Sequence, residues 1–122
     1  MKPHKFRDLL IWRKSIEIAK DVYLLFSLFP KEERFGLIDQ LRRSSVSISS
    51  NISEGAGRNS KNEFNHFLGI ANGSAYEVIS QLYLSVELNI LKNNDIESII
   101  DKLEEVQKMI YKFKQSILEI KN

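Results

Sequence analysis

The C-terminal quarter of the chain repeats apolar residues at intervals of three and four. From Ile96 to Ile120 the intervals are 3, 4, 3, 4, 3, 4 and 3. This spacing places the side chains on one narrow stripe of an α-helix, which is typical of a helix packed at a shallow angle on its neighbours. Asn94 is the expected N-cap, and Asp95 lies in the first turn, where negative charge suits the helix dipole. The pattern predicts a helix over residues 95–120.

The N-terminal segment carries two apolar rows side by side. The first row contains Leu9, Trp12, Ile16, Ala19, Tyr23 and Phe26. The second contains Ile11, Ile18, Val22, Leu25 and Phe29. They predict a helix over residues 8–28, which Pro30 ends because the residue before a proline is pushed out of the α region. So wide an apolar face exceeds what one bundle interior needs, so we expect homo-oligomerisation through it. Trp12 is expected in the core or interface, with a base-stacking platform as the alternative.

A third periodic segment begins at Ser60 and Glu63, which match a capping box. The apolar spacing that follows predicts a helix over residues 61–90. This helix contains Gly69 and Gly73, and a glycine inside a helix costs up to about 1 kcal/mol relative to alanine. We expect the close approach of another backbone to compensate for that cost.

Residues 44–58, SSVSISSNISEGAGR, are rich in serine and look at first like a linker. On a helix over residues 35–55, however, the apolar residues of this region share one sector. A separate polar stripe contains Gln40, Arg43, Ser44, Ser47, Asn51 and Glu54. We interpret it as a packing seam between closely spaced helices, with direct ligand contact or catalysis as alternatives. Gly55 and Gly57 are expected to end this helix, with Gly55 preferred as the left-handed cap.

Four amphipathic segments joined by short connections, and no convincing strand pattern, predict an all-α fold. The connections near 30–34, 55–60 and 91–94 favour antiparallel neighbours. We therefore predict an antiparallel up-down-up-down four-helix bundle, with residues 1–122 forming a single domain.

The net charge of +2 conceals an asymmetry between the two halves of the chain. Residues 1–61 hold 12 Lys and Arg against 7 Asp and Glu, whereas residues 62–122 hold 6 against 9. All six arginines lie in the first half, and arginine is suited to bidentate phosphate contact. The residues expected to contact nucleic acid are Arg13, Arg42, Arg58 and Lys61. The alternative is a solvated surface with some salt bridges.

Residues that commonly carry chemistry are scarce. The chain has no cysteine, which excludes disulfides and thiolate nucleophiles, and His4 and His66 belong to no metal-binding motif. The polar stripe holds no serine–histidine pair and no second carboxylate spaced to work with Glu54. We expect a protein that is not an enzyme and holds no cofactor or metal. The stretch EGAGRNSK is expected to be a plain turn; a phosphate held at the helix N-terminus beside Arg58 is the alternative.

The N-terminus is basic and lacks the apolar region of a signal peptide. No run approaches the roughly 20 apolar residues that span a bilayer. With the lack of cysteine, these features predict a cytoplasmic protein with no membrane partner.

Three stretches together resemble one family. They are FRDLLIWRKSIEIAKDVY at residues 6–23, FPKEERFGLIDQLRRSSVSISSNISEG at residues 29–55 and FNHFLGIANGSAYE at residues 64–77. Their order and spacing resemble the four-helix-bundle family of proteins encoded in intervening sequences of bacterial 23S ribosomal RNA genes. The family elements QLRR and NI[AS]EG match residues 40–43 and 51–55. Ser49 and Ser50 stand where that family often has proline and alanine.

The resemblance implies an up-down four-helix bundle that assembles as a ring-like homopentamer. The family is similar in fold to the accessory variability protein of diversity-generating retroelements, which binds a reverse transcriptase and nucleic acid through basic surface. The resemblance thus implies a bacterial, non-enzymatic oligomer that binds RNA or DNA. A protein-interaction scaffold with no direct nucleic-acid role is the alternative.

Overall fold

The computed structural model describes residues 2–119, and this range forms the predicted all-α fold. Within it the structure contains no strand. The four long helices are α1 Leu10–Leu24, α2 Leu37–Ala56, α3 Lys61–Glu87 and α4 Asn93–Leu118. Short 3-10 turns precede and follow α1. Ile120, the last position of the predicted C-terminal stripe, lies outside the described residues.

The helices form a bundle in which each packs on the next and α4 packs back on α1. Aliphatic side chains from all four helices fill one continuous core. The short connections make consecutive helices antiparallel, so the start of α1, the end of α2, the start of α3 and the end of α4 share one end of the bundle. The contact between α2 and α3 is the most extensive of the four.

The core face of α1 is the second of its two apolar rows. Ile11, Ile18 and Val22 are buried, whereas Ile16 and Tyr23 of the first row remain 42% and 44% exposed. The α1 helix is therefore an amphipathic helix with one apolar row inside the bundle and a second that stays partly in water.

The flank between α4 and α1 is closed by ion pairs. The ammonium group of Lys102 lies 2.7 Å from Asp21 and 2.6 Å from Glu17, and Lys14 lies 2.6 Å from Glu105. The hydrogen bond to Asp21 raises the pKa of Lys102, and the hydrogen bond from Lys102 lowers the pKa of Glu17. These pairs bridge the helices across the solvent-facing rim of the core.

The start of α4 differs from the prediction by two residues. Lys92, not Asn94, is the N-cap, and its backbone N–H donates to the Asp95 carboxylate over 2.7 Å. Asp95, the acidic residue expected in the first turn, thus links that turn by a hydrogen bond to the connection before α4. That connection contains Asn89 at φ 61°, a left-handed conformation that asparagine tolerates better than most residues.

Gly57 is the C-cap of α2, as expected, but Gly55, Gly69 and Gly73 play different roles from those predicted. Gly55 is not a left-handed cap: α2 continues to Ala56, and no glycine among the described residues has positive φ. Gly55 instead lies where α2 meets α3, and a Cβ there would be 2.8 Å from Phe67 Cβ and 2.9 Å from Phe64 Cδ1. The close approach between helices therefore lies at Gly55. The close approach expected at Gly69 and Gly73 is absent, because a Cβ at Gly69 would meet only Lys114 Nζ at 3.5 Å and a Cβ at Gly73 would meet nothing within 4 Å.

Candidate nucleic-acid interface

The antiparallel topology gathers basic side chains from four segments at one end of the bundle, which we call the basic end. Its basic residues are Lys5, Arg7, Arg58, Lys61, Lys112 and Lys114. The acidic residues at the same end are Asp8, Glu54, Glu63 and Glu119. Cations therefore outnumber carboxylates six to four there, although the chain as a whole is nearly neutral.

His4 fixes the N-terminal segment onto the basic end. Its backbone N–H donates to the carbonyl of Ala56 at the end of α2, over 2.8 Å. Its ring makes edge contacts with Phe64 of α3 and Phe113 of α4, at centroid distances of 5.1 and 6.0 Å. Contacts to three helices hold the segment in place, so Lys5 and Arg7 project from an anchored backbone and are exposed.

Arg58 and Lys61 lie at the basic end, Arg58 within the α2–α3 turn and Lys61 directly after it. The Arg58 guanidinium pairs with Glu54, lies 3.6 Å from Glu63 and stacks 5.0 Å from the Phe67 ring. A phosphate would therefore share this guanidinium with two carboxylates. Lys61 begins α3, where the Ser60 hydroxyl accepts the N–H of Glu63, which is one of the two bonds of the predicted capping box.

Arg42 lies apart from the other predicted nucleic-acid contacts. It precedes the end of α2 by fourteen residues, which is about 20 Å along the helix. Its guanidinium lies 3.0 Å from Asp39, which Arg43 also approaches at 3.2 Å, so a phosphate would share it with that carboxylate. Arg13 is in the first turn of α1, near the basic end, and is exposed.

Sequence reasoning missed Lys5, Arg7, Lys112 and Lys114. Each lies in a segment whose basic character is visible in the sequence, at the N-terminus or near the end of α4. The up-down topology places these four residues at the same end of the bundle. Listing the charged residues at each end of the four predicted helices would have identified the basic end.

The predicted polar stripe of α2 faces α3. Ser44 Oγ donates to Gln81 Oε1 over 2.7 Å, and Gln81 Nε2 lies 3.4 Å from Gln40 Oε1. Farther along, Ser47 Oγ accepts from Ser74 Oγ over 2.8 Å and from Asn51 Nδ2 over 2.9 Å.

Two members of the stripe have partners on α2 or in the turn after it. Arg43 pairs with Asp39, and Glu54 pairs with Arg58. The stripe is thus a hydrogen-bonded contact between two helices, flanked by ion pairs. Its side chains bond to one another, to Gln81 and Ser74 of α3, and to charged neighbours on α2 and in the turn after it.

The opposite flank of α3, toward α4, is an open groove. Exposed tyrosines Tyr76, Tyr83 and Tyr111 line it, and the buried side chains of Ile96 and Ile100 form part of its floor. Its rim on α4 is acidic at Glu97, Asp101 and Glu104, and basic beyond them at Lys108 and Lys112.

Polar atoms under the α3–α4 groove lack partners. Asn72 Oδ1 and Gln107 Nε2 are enclosed, and neither has a hydrogen-bond partner within the described part of the chain. Buried polar atoms in folded proteins nearly always have a hydrogen-bond partner. The hydrogen bonding on this flank is therefore less complete than on the flank between α2 and α3.

Among the described residues, no helix is long and apolar enough to cross a membrane.

Comparison with known proteins links the chain to one family. The family model for the 23S rRNA-intervening sequence protein matches residues 7–112. A search of curated proteins finds no match. A similar crystal structure is that of a protein from Bacteroides thetaiotaomicron VPI-5482, described as a protein of unknown function from the S23 ribosomal protein family. The two chains are 28% identical, the match covers 86% of this chain and 98% of the other, and the TM-score is 0.78.

Proposed function

Because the chain belongs to the family of 23S rRNA-intervening sequence proteins, we propose that it is a non-enzymatic homo-oligomer that binds RNA or DNA through basic surface. We further propose that it acts in the bacterial cytoplasm. The nucleic-acid-binding part of this proposal rests on the basic end of the bundle.

The basic end has the properties of a surface that holds a phosphate backbone. Lys5, Arg7 and Lys112 are exposed, and none of them forms an ion pair with another described residue. They come from the N-terminal segment and from α4, which the aromatic contacts of His4 hold together. Cations held on a rigid frame contact phosphates at a smaller entropic cost than cations on a mobile tail.

The oligomer is supported by the exposed apolar residues of α1. Leu10, Ile16, Tyr23 and Leu24 are all at least 42% exposed. A contiguous patch of exposed apolar side chains is typical of a surface that binds another protein. The number five is proposed from the family resemblance alone. A ring would repeat the basic end around its axis, so a modest charge on each subunit would give useful avidity.

The non-enzymatic part of the proposal is supported by how polar side chains are used. Catalysis was an alternative for the stripe from Gln40 to Glu54. Its side chains form hydrogen bonds between α2 and α3 or pair with Arg58. Binding through dispersed cations needs no reactive group, and it should be largely independent of base sequence.

The test is a salt titration of binding to structured RNA and duplex DNA. The variant Lys5→Ala/Arg7→Ala/Lys112→Ala removes three exposed cations from the basic end. We expect weaker binding and a flatter slope of log affinity against log salt. The slope for duplex DNA should flatten by about 0.9 for each phosphate that the variant no longer neutralises.

A matched control removes the same charge from the other end of the bundle. Lys31, Arg34 and Lys92 are exposed residues of the α1–α2 and α3–α4 connections. Their triple alanine variant should keep the wild-type slope. Equal losses in the two variants would mean that net charge, not the basic end, governs binding. No measurable binding by the wild type at about 50 mM salt, a condition generous to phosphate contacts, would favour the protein-interaction scaffold instead.

A further inference from the structure

Two charged surfaces of the chain have no ionic partner among the described residues. On α4, Glu97, Asp101 and Glu104 line the open groove beside α3, and none of them forms an ion pair with another described residue. On α1, Arg13 and Lys20 are exposed and likewise form none, whereas Lys14 of the same helix is paired with Glu105. The acidic surface and the basic surface lie on different helices of the chain.

The two surfaces have matching dimensions. Arg13 and Lys20 are seven residues apart on α1, and Glu97 and Glu104 are seven residues apart on α4. Seven residues are about two turns, or roughly 10.5 Å along a helix. Two cations on one helix can therefore meet two carboxylates on the other at the same time, whether the helices run parallel or antiparallel.

The apolar surroundings match as well. Around the two cations, Leu10, Ile16, Tyr23 and Leu24 are 42–67% exposed. Around the carboxylates, the groove offers the exposed rings of Tyr76 and Tyr83, with apolar side chains below. An interface with apolar contacts inside and charge pairs at its rim is the usual anatomy of a specific protein contact.

We propose that the outer face of α1 in one copy docks in the α3–α4 groove of a second copy, with Arg13 and Lys20 opposite Glu97 and Glu104. This inference rests on the homo-oligomer of the proposed function and identifies the two surfaces that meet. The surfaces differ, so the contact is head-to-tail, and repeating it gives a closed ring or an open filament. It also assigns Arg13 to the contact between copies and not to nucleic acid.

Charge reversal tests the pairing. We expect Arg13→Glu/Lys20→Glu and Glu97→Lys/Glu104→Lys each to lose assembly, because each places like charges opposite one another. The fourfold variant that carries both changes restores opposite charges and should recover the wild-type mass. The readout is size exclusion with light scattering at about 50 mM salt, since screening weakens such pairs at higher salt. Glu77→Lys, an exposed change on α3 outside the groove lining, is the control and should assemble normally.

Cross-linking provides a second readout that does not depend on repulsion. The chain has no cysteine, so cysteines can be introduced in pairs without background. Lys20→Cys combined with Glu97→Cys, or with Glu104→Cys, should give a covalent ladder beyond the dimer with a short thiol cross-linker. The more reactive of the two pairs reports the relative direction of the helices. Lys20→Cys combined with Glu77→Cys is the control and should give no ladder.

The outcomes separate this inference from the proposed function. An oligomeric wild type whose mass survives both double reversals, or whose fourfold variant stays dissociated, overturns the docking inference alone. The same holds if neither cysteine pair gives a ladder. A wild type that is monomeric at micromolar concentration overturns both the inference and the oligomer in the proposed function. Nucleic-acid binding by the basic end is measured separately and survives or fails independently.

Discussion

The two flanks of α3 are built in opposite ways. Toward α2 the helices are close, glycine and serine lie between them, and polar side chains such as Ser47 and Ser74 bond one another. Toward α4 the same helix borders a groove with exposed tyrosines, and Asn72 Oδ1 and Gln107 Nε2 beneath it have no partner among the described residues.

The difference shows what small side chains achieve between helices. At Gly55 the absence of a Cβ lets α2 approach the backbone of α3 at Phe64 and Phe67. At that separation the short hydroxyl of Ser47 reaches its partner directly. Toward α4 the facing side chains are longer, as at Gln107 and Tyr111, and they line an open groove between the two helices.

Gly55→Ala is the strongest test of the difference between the two flanks, because it acts on the close contact between α2 and α3. The new Cβ would lie under 3 Å from atoms of Phe64 and Phe67, so the contact between α2 and α3 must shift to accommodate it. We expect the free energy of unfolding to fall by about 2 kcal/mol, the usual scale of overpacking. Urea denaturation measures it, at matched protein concentrations because assembly adds concentration-dependent stability.

Gly73→Ala is the matched control for that substitution. A Cβ at this position would meet no atom within 4 Å, so the better helix propensity of alanine should raise stability by about 0.5–1 kcal/mol. Equal effects at the two glycines would contradict the difference between the flanks.

Ser47→Leu probes the same contact from the polar stripe. Leucine overpacks the position and leaves the Ser74 hydroxyl without its partner. We expect a loss of about 1–3 kcal/mol in thermal or urea unfolding. Ser53→Ala, which removes only a bond to the Ser50 carbonyl within α2, should change stability by no more than about 0.5 kcal/mol. Small, equal shifts in the two variants would show that the stripe is merely solvated.

The smallest expected changes in the free energy of unfolding come from substitutions at two residues of α3 that face different flanks. Ser74→Ala removes the bond to Ser47 and should cost about 1 kcal/mol. Asn72→Ala removes a side chain whose Oδ1 has no partner among the described residues, and should stay within about 0.5 kcal/mol of the wild type. A larger loss for Asn72→Ala would mean that its amide is satisfied and that the α3–α4 flank is as complete as the other.

Part of the candidate interface was readable from residue types and part was not. Arg58 and Lys61 were predicted and do lie together at one end of the bundle. Arg42 was predicted to contact nucleic acid, and Asp39 three residues earlier on the same helix pairs with it. That partner is visible in the sequence as an i, i+3 spacing. Lys5 and Lys112 are 107 positions apart in the chain, and only the topology brings them to the same end.

By itself the sequence determined the helices, because helix formation and the stripe on which a side chain lies depend on neighbours within a few residues. The intervals of three and four, the Ser60 cap and the polar row of α2 are all local properties of this kind. The tertiary structure decided which of the two apolar rows of α1 is buried, which glycine lies at a close contact and which flank of α3 stays open. Those outcomes depend on the volumes and hydrogen bonds of the side chains of α2 and α4 that pack on α1 and α3. Contacts between residues far apart in the chain produce no periodic pattern in the sequence.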